Sequence, residues 1–91
     1  MTPSPRMVEA VQVEQRLRKA QDAAKVLLGE KYDKEMLEIG EILKKVVAET
    51  TKTVLEAAIM MATDAEKNGL PMLGLMLLSA ACELIEKDDS K

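Results

Sequence analysis

Between Asn68 and Cys82 the chain runs for 15 residues without a charged side chain, in a protein of which 32% is charged. Any fold must bury this run, and its length limits how. It falls short of the roughly 18 to 20 apolar residues that span a bilayer, and Asp64, Glu66 and Lys67 separate it from the apolar stretch before it. It is expected to be an inner helix of a protein with no membrane span.

The segments that cover it are expected to be helical too. Hydrophobic residues make up 47% of the chain, with Tyr32 the only aromatic, and every long segment repeats its apolar positions at three and four residues rather than two. This is an all-α pattern. Ninety-one residues make a single domain, near the lower size at which one core holds a chain without disulfides, metals or a partner.

Three helices are predicted. After a disordered lead over residues 1–5, with Ser4 as N-cap and Pro5 suited to a first helical position, a helical domain covers residues 6–88. The first helix spans about 5–28, with a narrow seam of Ala10, Val13, Leu17, Ala20, Ala24 and Leu27, and Gly29 closes it in the left-handed conformation. The second runs from an N-cap at Asp33 to residue 67, with Met36, Ile39, Leu43, Val46, Thr50, Val54, Ala57 and Met61 as its seam. At 1.5 Å per residue it would be roughly 50 Å long, more than a small domain's diameter, so it must bend or protrude. Glu49 and the threonines 50, 51 and 53 mark the place for a bend. After a turn at Gly69 and Leu70, the third helix covers about 71–87. Short turns imply an antiparallel up-down-up arrangement about a long central helix, the first helix along its first half and the third along its second.

The third helix has more apolar surface than that arrangement covers. Leu70, Leu73, Gly74, Leu77, Leu78, Ala81, Leu84 and Ile85 form a main stripe toward the second helix, leaving Met72, Leu75, Met76, Ser79 and Cys82 on the other side. Leu55, Ile59 and Ala62 lie likewise off the seam of the second helix. Burying a large apolar side chain contributes roughly 1.5 to 3 kcal/mol, so this surface needs a cover. A second copy related by a two-fold axis would supply one, giving a dimeric helical bundle with those eight residues as its interface. In the alternative the first helix swings across the second stripe and closes a three-helix monomer.

Residue types restrict the chemistry. The chain has no histidine, which removes the commonest general base and metal ligand, and its one cysteine has no basic neighbours to activate it. Met60, Met61, Met72, Met76 and Cys82 are soft donors, but methionine beside leucine at helical spacing reads as packing, so no metal or cofactor is expected. Lys34 and Glu38, Glu41 and Lys45, Lys45 and Glu49, and Lys52 and Glu56 stand four apart, as on a solvated face. A net charge of −3, concentrated as acid in residues 53–91, argues against a nucleic-acid partner. Tyr32 either covers the end of the first helical hairpin or anchors a partner. No catalytic group can be assembled and no basic, apolar signal opens the chain, so a cytoplasmic, non-enzymatic interaction module of adaptor, chaperone or inhibitor type is expected. Its apolar Met/Leu-rich helical surface would bind itself or another protein. The alternative is a binder of a small anion between protomers through Arg6, Lys44, Lys45 or the threonines.

Overall fold

Pro5–Leu28 forms helix α1 in the computed structural model, which describes the backbone of residues 5–89 and the side chains of residues 12–87. Of the expected lead at residues 1–5, Pro5 begins α1, while residues 1–4 with the expected cap Ser4, and the side chains of Arg6 and Ala10, lie outside the described residues. A single 3-10 turn, Gly29–Lys31, joins α1 to α2 (Tyr32–Thr50). Then follow α3 (Val54–Lys67) and α4 (Pro71–Asp89). The fold is all-α among the described residues, with no helix long and apolar enough to cross a membrane.

The expected long central helix is two helices. Thr51 stops the first by adopting the left-handed conformation at φ 57°, ψ 19°, its N–H bonding back to the Val47 carbonyl at 3.0 Å. Thr50 helps by donating its hydroxyl to the Val46 carbonyl at 2.6 Å. Two residues later Thr53 starts α3 with a capping box: its hydroxyl accepts from the Glu56 N–H at 3.1 Å, and the Glu56 carboxylate accepts the Thr53 N–H at 3.4 Å. The Thr53 hydroxyl also donates to the Glu56 carboxylate at 3.0 Å, and this bond, then that from the Thr53 N–H, holds the Glu56 carboxyl below its ordinary pKa, with a smaller push from Lys52. Dividing the helix also explains the size, since the longest extent of the molecule is 44 Å, less than one continuous helix would need. A second difference is that α2 begins at Tyr32, one residue before the expected cap Asp33, because the 3-10 turn runs straight into it.

The break can be tested by the sign of two substitutions. A β-branched residue at positive φ is strained, so Thr51→Gly is expected to raise stability by about 1 kcal/mol, and Thr53→Ala to lower it by about 1 kcal/mol through loss of the cap. Were residues 33–67 one helix, both signs would reverse, since glycine disfavours and alanine favours a helix interior relative to threonine. Urea unfolding midpoints distinguish the cases.

The break also decides what lies against what. α3 and α4 pack as a hairpin through the turn at residues 68–70, so closely at Gly74 that a Cβ there would lie 3.2 Å from the Ala62 carbonyl oxygen. α2 turns away and crosses the far end of α4, where Gly40 faces Leu84. α1 was expected along the first half of the second helix, yet it barely touches α2 and lies on α4 instead. The alternative sequence reading, a first helix swung across the second stripe, is the arrangement observed. α4 thus has neighbours on three sides, and Leu77, Leu78, Ser79, Ala80, Ala81 and Cys82 are buried without a break. Half of the buried core is alanine, from Ala20 and Ala24 through Ala57, Ala58, Ala62 and Ala65 to Ala80 and Ala81. Small side chains let the backbones approach, and among the described residues Leu43 is the only large apolar side chain that is fully buried.

Candidate functional site

Where α1 crosses α4, the α1 seam is wider than its alanines suggested. Gln21, one position beyond Ala20, is buried at 7% exposure and donates its amide to Glu83 Oε1 at 2.9 Å, with a longer contact to Glu86 Oε2 at 3.5 Å. At the other end of that seam Leu28 is half-buried, whereas the expected Leu27 is exposed.

The same Glu83 oxygen accepts the Tyr32 phenol at 2.6 Å, and Tyr32 Oη lies 3.0 Å from Ser79 Oγ. Because the phenol has one proton and gives it to the carboxylate, the Ser79 hydroxyl is the donor to Tyr32. Lys25 from α1 stands over the Tyr32 ring, 5.7 Å from its centre, close enough for a cation–π attraction. Three helices therefore meet at one polar knot, and no buried side-chain nitrogen or oxygen among the described residues is left without a partner.

The electrostatics follow from burial and these bonds. Burial, then the hydrogen bond to Glu83, pushes the Tyr32 phenol up to about 12. Burial opposes the Glu83 charge, but bonds from Tyr32 and Gln21 and the nearby Lys25 and Lys87 outweigh it and hold that carboxyl below its ordinary value. Cys82 is buried against the neighbouring acids, and burial, with the charge of Glu86, raises its thiol to about 11. A thiol kept protonated at neutral pH is a weak nucleophile. Tyr32, expected as a partner anchor or a cover, is 6% exposed and belongs to this knot. An aromatic enclosed in this way offers a partner no surface.

The expected interface residues separate into two groups. Ala62, Ser79 and Cys82 are buried inside the chain at 0%, 0% and 5% exposure, so a two-fold pairing through residues 54–82 would find them already covered. Ala62 is covered within the α3–α4 hairpin, where it adjoins Gly74, Ser79 by Tyr32 at the start of α2, and Cys82 on the side where α1 brings Arg18. Leu55, Ile59, Leu75 and Met76 are half-buried against the core. Met72 remains exposed at 38%.

Other residues take its side. Leu70 and Leu73, read as members of the main stripe, are 52% and 39% exposed. They stand at the head of α4, while α2 meets α4 at positions 79–87, beyond their reach. Leu70, Met72 and Leu73 with half-buried Met76 make an apolar head beside the α3–α4 turn.

Two grooves flank α4. One, of about 270 Å³, lies between α2 and the end of α4, with Met36, Leu37, Gly40 and Leu84 as apolar lining and Asp33, Glu41, Lys44, Glu83 and Lys87 around them. The other, of about 560 Å³, lies between α1 and the head of the hairpin and is lined by Gln12, Gln15, Arg16, Lys19, Glu66, Pro71, Leu75 and Leu78 among others. Arg16 and Glu66 bridge its edge at 3.6 Å. Of the described residues considered for an anion, Lys44 lines the first groove but meets Glu41 at 3.5 Å, and the threonine hydroxyls of residues 50, 51 and 53 serve local bonds at the helix break. Glu41 thus pairs three residues on, with Lys44 rather than Lys45. Among the described residues no group of three or more His, Cys, Asp or Glu side chains gathers as a metal ion would require.

No family model, no curated protein and no solved structure matches this chain. The geometry alone supports a reading of its function.

Proposed function

We propose that this chain is a small helical protein–protein interaction module, and that its contact surface is the apolar head of α4. The observation that carries the reading is the exposure of Leu70, Met72 and Leu73 side by side at 52%, 38% and 39%, with Met76 one turn further along the helix. Scattered exposed hydrophobics are ordinary, whereas neighbouring ones on a helix end form a patch that a partner can cover. Methionine suits such a surface because its unbranched side chain adapts to different shapes. A partner helix laid across α4 is the corresponding mode of recognition.

The test is a pair of charge substitutions in a tagged copy exposed to native lysate. Met72→Glu with Leu73→Glu is expected to abolish the retained partner while the melting temperature stays within a few degrees of the parent, and Lys19→Glu is expected to retain it. A doubly substituted protein that keeps the same partner removes the reading. Light scattering on the purified parent identifies the occupant when it is a second copy, since the mass would be twice the 10.0 kDa of one chain.

A further inference from the structure

We propose that α1 is exchangeable between two copies of this chain, each copy's α1 seating on the α4 of the other. This does not rest on the α4 head. The first observation is that α1 makes few contacts with α2, the helix it is tied to, and packs on α4, more than forty residues further along the chain. Leu17, Ala20 and Ala24 are buried there and Gln21 reaches Glu83, so a second copy's α4 offers every contact that the first does.

The second observation is the link. Leu28 at φ −90°, ψ −26°, Lys31 at φ −81°, ψ −9° and Tyr32 at φ −52°, ψ −53° are all in the right-handed helical region. Gly29, at φ 54°, is the one residue of this link with a positive φ. Rotating that residue into the helical region would fuse α1 and α2 into one helix of roughly 70 Å, far longer than the 44 Å of the folded chain. α1 would then be carried off its own α4.

A third observation supplies what holds the fused helices together. Val26 and Leu37 are exposed at 83% and 61%, one on each side of the link, where neither has a role in the folded chain. They are eleven residues apart, about three turns, and so would share a face of a continuous helix. In two such helices crossing antiparallel at the link, Val26 of one copy lies against Leu37 of the other.

The test begins with Gly29→Ala. A Cβ at Gly29 would have no atom within 4 Å, so the substitution acts only through the positive φ, which alanine disfavours. Two links are relieved per dimer, and the association constant is expected to rise roughly 30-fold, read by light scattering after refolding at high concentration. Exchange is identified by co-refolding two chains in the Cys82→Ala background, one with Arg16→Cys and the other with Glu66→Cys, and joining them with a short bismaleimide. Each chain then carries one thiol, and Arg16 and Glu66 meet across α1 and the hairpin at 3.6 Å. An inter-chain product several-fold above that from Arg16→Cys with Lys45→Cys supports the exchange. A Gly29→Ala protein that stays at 10.0 kDa, or a dimer whose cross-linking does not exceed the control, overturns it. Should Gly29→Ala fail to fold, the same cross-link in chains retaining Gly29 decides by the same criterion.

Discussion

Truncation of Leu43 to alanine is expected to destabilise the protein by about 2–5 kcal/mol, a large part of the stability of a domain this small. Leu43 is the only large apolar side chain among the described residues that is fully buried. Half of the buried core is alanine, whose Cβ atoms cannot reach into a vacated space, so the cavity is expected to stay open and its cost to add to the lost burial. The matched control is Leu37→Ala in the same helix. Leu37 is 61% exposed, and its loss is expected to change stability by less than about 0.5 kcal/mol. Urea unfolding of the two variants measures the difference, and a Leu43→Ala cost near that of the control would place Leu43 outside the core.

Tyr32→Phe is expected to cost about 1–3 kcal/mol at neutral pH, since it leaves the wholly buried Ser79 hydroxyl without its partner and the Glu83 carboxylate with only the bond from Gln21. The pH dependence carries more information. Glu83 titrates below its ordinary value of 4.5 in the folded chain, so the stability it supplies is present above that pH and is lost as pH falls through the folded value. Tyr32 titrates at about 12 when folded against 10.0 ordinarily, so its share is fully present below pH 10 and is lost as pH rises toward 12. In Tyr32→Phe the alkaline loss due to the phenol disappears. The acid loss begins at higher pH, because burial of Glu83 is then opposed by one hydrogen bond fewer. Unfolding midpoints at acid, neutral and alkaline pH, taken as differences from the parent, isolate both effects from the titration of other groups.

Much of the local structure was legible in particular residues. Pro5 begins α1, Gly29 takes the positive φ expected of a helix-closing glycine, and Met36, Ile39 and Leu43 are buried as their spacing requires. The break in the central helix had a signal too, since Thr53 followed three residues later by Glu56 is the pattern of a capping box. Pairing Glu56 with Lys52 as part of a charge ladder concealed it. Gln21 had no such signal. A glutamine beside an alanine seam looks solvated until the helix that supplies its acceptor is in place.

The sequence by itself determined that the protein is helical, where most helices begin and end, and that residues 68–82 must be covered, because periodicity and capping are properties of neighbouring residues. Only the tertiary structure decided what does the covering. Thr51 turns α2 away from the axis of α3, α1 crosses to α4, and the second stripe thereby closes over Ser79 and Cys82 while Leu70 and Leu73, from the main stripe, are left outside. A helical wheel gives the direction of a side chain but not the path of the helices around it. One left-handed residue redirects a whole helix, and the path of the helices decides which side chains of the uncharged run are covered.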